Sequence, residues 1–200
     1  VITLKWFGRP RRVPTFLERH GVSGAFAADS AFLRGLGIAL GLDPVVAPET
    51  DDPVSDLRGR AALANERLHA GDTFVFCHQK TTDAAGHTKD PEVKRDTIAA
   101  LDGALAGLRP LVSRAIGCIT GDHATPASPD VIHSGDPVPL LVAGPGVRAD
   151  DVTSFGELPF AAGILGRRNR SQASIDFDVA SGGGLPLTQV LNFPNPFHSG

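Results

Sequence analysis

Thr73-Phe74-Val75-Phe76-Cys77-His78-Gln79-Lys80-Thr81-Thr82-Asp83-Ala84-Ala85-Gly86-His87 decides how this chain is read. Its first five residues form a continuous apolar run, the pattern of a strand buried on both faces of a parallel sheet. The chain then turns polar from His78 to Lys89. Asp90-Pro91 opens a helix, with Asp90 as N-cap and Pro91 at the first helical position. Ile98, Leu101, Leu105 and Leu108 recur at helical spacing and give that helix one apolar face, limited by Pro110. Residues 115–120 predict a second buried strand. A polar loop over 121–136 follows, then a third strand over 138–143, ended by Gly144-Pro145-Gly146.

The same alternation runs back towards the start. Residues 1–6 predict a strand. Residues 15–19 predict a helix in which Thr15 and Glu18 form a capping box and Gly21 is the stop. A short strand fits 24–28, and a helix fits 30–40 with Gly41 at its end. Val45 and Val46 begin another short strand. Residues 47–53 are acidic and proline-bearing, which predicts a loop, and 57–69 is helical by composition. Strand and helix alternating in this way predict an α/β layered fold with a mostly parallel sheet. After residue 174 the pattern breaks. Ser181-Gly182-Gly183-Gly184 reads as a linker, and Asn192-Phe193-Pro194-Asn195-Pro196-Phe197 as an isolated strand-and-turn fragment. Two regions are therefore expected, 1–174 and a separate tail over 175–200.

Composition narrows the classes. The chain has 200 residues, 42% hydrophobic and 20% charged, enough for one globular core. A net charge of −3 gives no electrostatic case for a nucleic-acid or membrane-surface partner. No apolar run approaches the roughly 18 residues of a membrane span. There is no methionine, and the first residues are Val1-Ile2-Thr3-Leu4, so an internal or processed piece of a longer protein is expected. Cys77 and Cys118 lie in apolar runs without C-x-x-C spacing. They predict buried free thiols in a reducing compartment rather than a disulfide framework.

Chemistry concentrates in three stretches: the polar segment 78–87, Thr120-Gly121-Asp122-His123-Ala124-Thr125-Pro126, and Val131-Ile132-His133-Ser134-Gly135-Asp136-Pro137-Val138-Pro139. They hold four of the chain's seven histidines. The first two follow strands directly, and ligands of open α/β sheets bind beyond the carboxyl ends of strands. Asp83, His87, Asp122 and His123 are thus candidates for one crevice. A mixed imidazole and carboxylate set suits manganese, zinc, iron or cobalt better than calcium. Neighbouring side chains diverge, so Asp122 and His123 do not easily share one ion with Asp83 and His87. A two-metal site follows, of the kind that clamps both oxygens of a phosphoryl displacement. The same residues also fit a metal-free reading, with Asp122 and His123 in a hydrogen-bonded turn and His133 on a surface loop.

The order His-x-Lys-x-x-Asp-x-x-Gly-His, Thr-Gly-Asp-His-x-Thr-Pro, His-Ser-Gly-Asp-Pro-Val-Pro resembles the 2,3-bisphosphoglycerate-independent phosphoglycerate mutases of the archaeal-type branch. These belong to the alkaline phosphatase superfamily. The resemblance extends back over 14–42 and forward to Gly163-Ile164-Leu165-Gly166-Arg167. It implies an alkaline-phosphatase-like three-layer sandwich, here incomplete. It implies two divalent metal ions, Mn²⁺ first among Zn²⁺, Co²⁺ and Mg²⁺. Asp83, His87 and His133 match the ligands of one, and Asp122 and His123 match two ligands of the other. Lys80 would be a cation near the substrate's phosphate or carboxylate. The implied parent is a cytoplasmic enzyme that interconverts 3- and 2-phosphoglycerate through a phosphoenzyme. The family's N-terminal aspartate, its Ser or Thr nucleophile and its cap domain have no counterpart in these residues, so a missing N-terminal half is the expected partner. Two other readings keep or drop the chemistry: a metal-dependent phosphatase or phosphodiesterase, and a non-catalytic metal-binding remnant.

Overall fold

Gly24–Ala28 (β1) is the middle strand of a sheet, and its composition suits the position. Small residues surround a single phenylalanine, and all five residues are buried. The computed structural model describes residues 8, 11–149 and 151–154. Expectations for a strand over 1–6, for the stretch Gly163 to Arg167 and for the tail over 175–200 lie outside the described residues.

The chain divides into two compact units. The first takes in residues up to Pro48 with Leu63–His78. It holds α1 (Phe16–His20), β1, α2 (Ala31–Ala39), β2 (Asp43–Val46), the second part of α3 (Pro53–His69) and β3 (Phe74–Cys77). The sheet order is β2-β1-β3, and both pairings are parallel. Parallel neighbours need crossover connections, which α2 and α3 supply. Phe26, Ala28 and Leu42 form the core, with Phe16, Leu33, Leu40 and Phe74 packed against it. The Phe26 and Phe76 rings lie 4.4 Å apart across β1 and β3. Helix α1 has the expected capping box, Thr15 with Glu18, and ends on Gly21 in the left-handed conformation.

The second unit takes in Glu49–Ala62 and the residues from Gln79 on. It holds the first part of α3, α4 (Thr81–His87), α5 (Pro91–Leu105), a 3₁₀ turn at Ala106–Leu108, α6 (Arg109–Val112), β4 (Gly117–Thr120) and β5 (Leu140–Ala143). Asp90 caps α5 as its sequence predicts, accepting from the amides of Glu92 and Val93.

The polar segment 78–89, for which the sequence predicts no element, contains α4 over Thr81–His87. Four expectations need correction. Pro110 does not stop α5 directly: α5 ends at Leu105, and Pro110 stands in the first turn of α6, where its missing N–H costs nothing. β4 and β5 are not part of the parallel sheet but pair with each other, antiparallel. Their strands are therefore half-exposed in alternation or nearly so, and Cys118 is exposed rather than buried. β3, at the edge of its sheet among the described residues, is likewise only partly buried. Cys77 and Cys118 are both free.

Candidate metal centre

Asp83 and His87 are four residues apart, and α4 turns that spacing into proximity by placing both on one helix face. The polarity of α4 also suits them. The acid lies in the first turn, where the helix dipole favours it, and the imidazole lies in the last. The entry to α4 is anchored within the same unit. The backbone N–H of Lys80 donates to Glu49 Oε1 at 2.7 Å, and Glu49 faces the buried Arg60 at 3.6 Å.

His133 arrives from the loop after β4. An isolated antiparallel bridge joins Ala124 to Ser134, with Ser134 N–H donating to the Ala124 carbonyl at 3.1 Å. That bridge sets the His123 and His133 rings 4.0 Å apart. His133 Nε2 lies 3.3 Å from His87 Nε2 and 3.6 Å from Asp83 Oδ1, and His87 Nε2 lies 3.3 Å from the same carboxylate oxygen. Three donor atoms from two segments thus form a nearly equilateral triangle.

The triangle is sized for an ion. A tetrahedral zinc-like ion with bonds of about 2.0–2.1 Å holds its ligands about 3.4 Å apart. Two imidazoles and one carboxylate also form the intermediate donor set that divalent transition metals take. The residues present therefore fit a divalent metal.

Electrostatics favours the ionised acid. Partial burial, the largest single influence on Asp83, pulls its carboxyl upward. The hydrogen bond from Thr125 and the charges of His87, His123 and Lys80 outweigh it, and the carboxyl rests below its ordinary value. Lys80 itself is exposed and acts on Asp83 through charge.

The other two candidate ligands lie beside this triangle. His123 Nε2 is 3.6 Å from Asp122 Oδ2, and the Asp122 side chain is 84% exposed. The structure pairs these two donors, and no third donor completes their set among the described residues. Thr125 is a contact that ligand-type reasoning passes over. It is 5% exposed, and its hydroxyl donates to Asp83 Oδ1 at 2.7 Å. Its side chain is neither a metal ligand by type nor an ion, so only the fold reveals that it touches the centre.

Known proteins are similar to this chain over most of its length. The sequence description of the metalloenzyme superfamily matches residues 9–169. The chain is 36% identical over 181 residues to a 2,3-bisphosphoglycerate-independent phosphoglycerate mutase of Methanoculleus marisnigri, spanning 90% of this chain and 43% of that protein. It is 41% identical over 156 residues to the Pyrococcus horikoshii enzyme of the same name, spanning 76% and 37%. Among solved structures, the cofactor-independent phosphoglycerate mutase of Thermoplasma acidophilum superposes with a TM-score of 0.57 at 30% identity, over 76% of this chain and 35% of that one. A solved structure of a Pyrococcus horikoshii protein gives 0.64 at 34% identity, over 76% of this chain and 40% of that one. The chain thus spans about two-fifths of the length of these relatives. With the match running from residue 9 to residue 169, across every described helix and strand, the chain belongs to the metalloenzyme superfamily.

Proposed function

We propose that this chain supplies the metal-holding part of a phosphoglycerate mutase. The reading rests on one observation above others: the 3.3, 3.3 and 3.6 Å triangle of Asp83, His87 and His133 donors. Asp83, His87 and His133 would hold one divalent ion, Mn²⁺ first among the candidates. Asp122 and His123 would give two ligands to a second. The chemistry such ions would supply when bound is Lewis acidity towards phosphoryl oxygens and a lowered pKa for a nearby hydroxyl. Lys80, an exposed point charge at the start of α4, orients the substrate's phosphate or carboxylate. Thr125 keeps the Asp83 carboxylate turned to the ion. The whole protein interconverts 3-phosphoglycerate and 2-phosphoglycerate by passing the phosphoryl group through an enzyme hydroxyl.

Titration of the manganese-loaded chain with 3-phosphoglycerate, and separately with glycerate, tests this. Saturable binding of the phosphorylated acid alone, absent without metal, is expected. Equal binding of glycerate, or undiminished binding to metal-free chain, contradicts it.

A further inference from the structure

We propose that Thr125 is a positioning residue whose single hydroxyl sets the tautomer of His123 while it holds Asp83. This rests on the reading that Asp83 and His123 are ligands of two neighbouring ions. A hydroxyl has one proton to give. Asp83 Oδ1, 2.7 Å away, belongs to an ionised carboxylate that only accepts, so the Thr125 proton points there. The same oxygen lies 3.2 Å from His123 Nδ1 and has only lone pairs left to offer it. His123 Nδ1 must then carry the ring's hydrogen. Its Nε2 is then the nitrogen that keeps a lone pair for an ion, and it lies 3.6 Å from Asp122 Oδ2. One hydroxyl thereby orients a ligand in each donor set.

Thr125 is held firmly enough to do this. Its carbonyl accepts from Lys94 Nζ on α5 at 2.6 Å. Its side chain is buried against Gly86 of α4, where a Cβ would come within 2.5 Å of the Thr125 carbonyl oxygen and 2.9 Å of its Cγ2. Lys89 Nζ reaches across the same loop to the carbonyls of Pro126 and Val131. The loop that carries Thr125 is therefore tied to both helices.

The test is nitrogen-15 NMR of the histidine rings in the metal-free chain, at about pH 8, where imidazole is neutral. Wild type should show His123 protonated at Nδ1. The isosteric Thr125→Val should lose that preference, and Thr125→Ser should restore it. A second readout is manganese binding: Thr125→Val should weaken it by about 10–100-fold and Thr125→Ser by far less. His123 protonated at Nε2 in wild type overturns the proposal without any variant. So does an unchanged His123 tautomer in a folded Thr125→Val. A wild-type chain that has the Nδ1–H tautomer but binds no manganese would overturn the metal reading instead and leave the hydroxyl assignment standing.

Discussion

Gly86 shows how little space separates the two segments that build the candidate metal centre. It sits between Ala85 and the ligand candidate His87, and a Cβ there would overlap the Thr125 carbonyl. Gly86→Ala should push the Thr125 loop away from α4, at about 1–3 kcal/mol in urea denaturation, the usual range for overpacking. Metal affinity should fall with it. Unchanged stability and affinity would show that the loop yields freely. At this scale the sequence was half legible. Asp83 and His87 stand out by type and spacing, and His133 joins them only through the family resemblance. What holds them together does not stand out, because Thr125 and Gly86 have no chemistry that marks them in a list of residues. Their roles come from a close approach between segments some forty residues apart.

Elements were legible where local chemistry sets their ends. Asp90 caps α5 through two amide bonds, at 2.8 and 3.3 Å. Asp90→Ala should cost about 1 kcal/mol in thermal unfolding, as N-cap losses do, and an unchanged midpoint would contradict the cap. Helix α1 carries a pH-dependent start. The backbone N–H of Thr15 holds the Glu18 carboxyl below its ordinary 4.5, and the Arg12 guanidinium adds to the effect. A depressed carboxylate stabilises above its unfolded value and loses that contribution as pH falls through the folded one. The Thr15 amide should therefore stay protected from exchange at neutral pH and lose protection below 4.5. Protection that stays flat between about pH 6 and pH 3 would contradict the capping box. Helix α4 escaped the sequence reading for a related reason. Lys80 stands at its N-cap and makes no side-chain cap bond, so the start signal is absent. The anchor is instead Glu49, which takes the Lys80 amide from a distance of 31 residues.

For the molecule as a whole, alternation of strand and helix was enough to predict the α/β class, and the parallel sheet β2-β1-β3 bears it out. The direction of β4 and β5 was not legible. Leu140–Ala143 is a short apolar run, and such a run is compatible with either ladder until its partner is known. Burial was also overestimated, since an apolar strand becomes fully enclosed only with a neighbour on each side, as β1 has and β3 lacks among the described residues. The candidate metal centre is the point where these levels meet. α4 supplies two donors, and the Ala124 to Ser134 bridge brings the third. The most direct measurement is the divalent-metal content and affinity of the purified chain beside His87→Ala. Wild type should hold stoichiometric manganese or zinc, and a folded His87→Ala should bind it at least about tenfold more weakly. Equal metal content and affinity in both proteins would contradict that expectation.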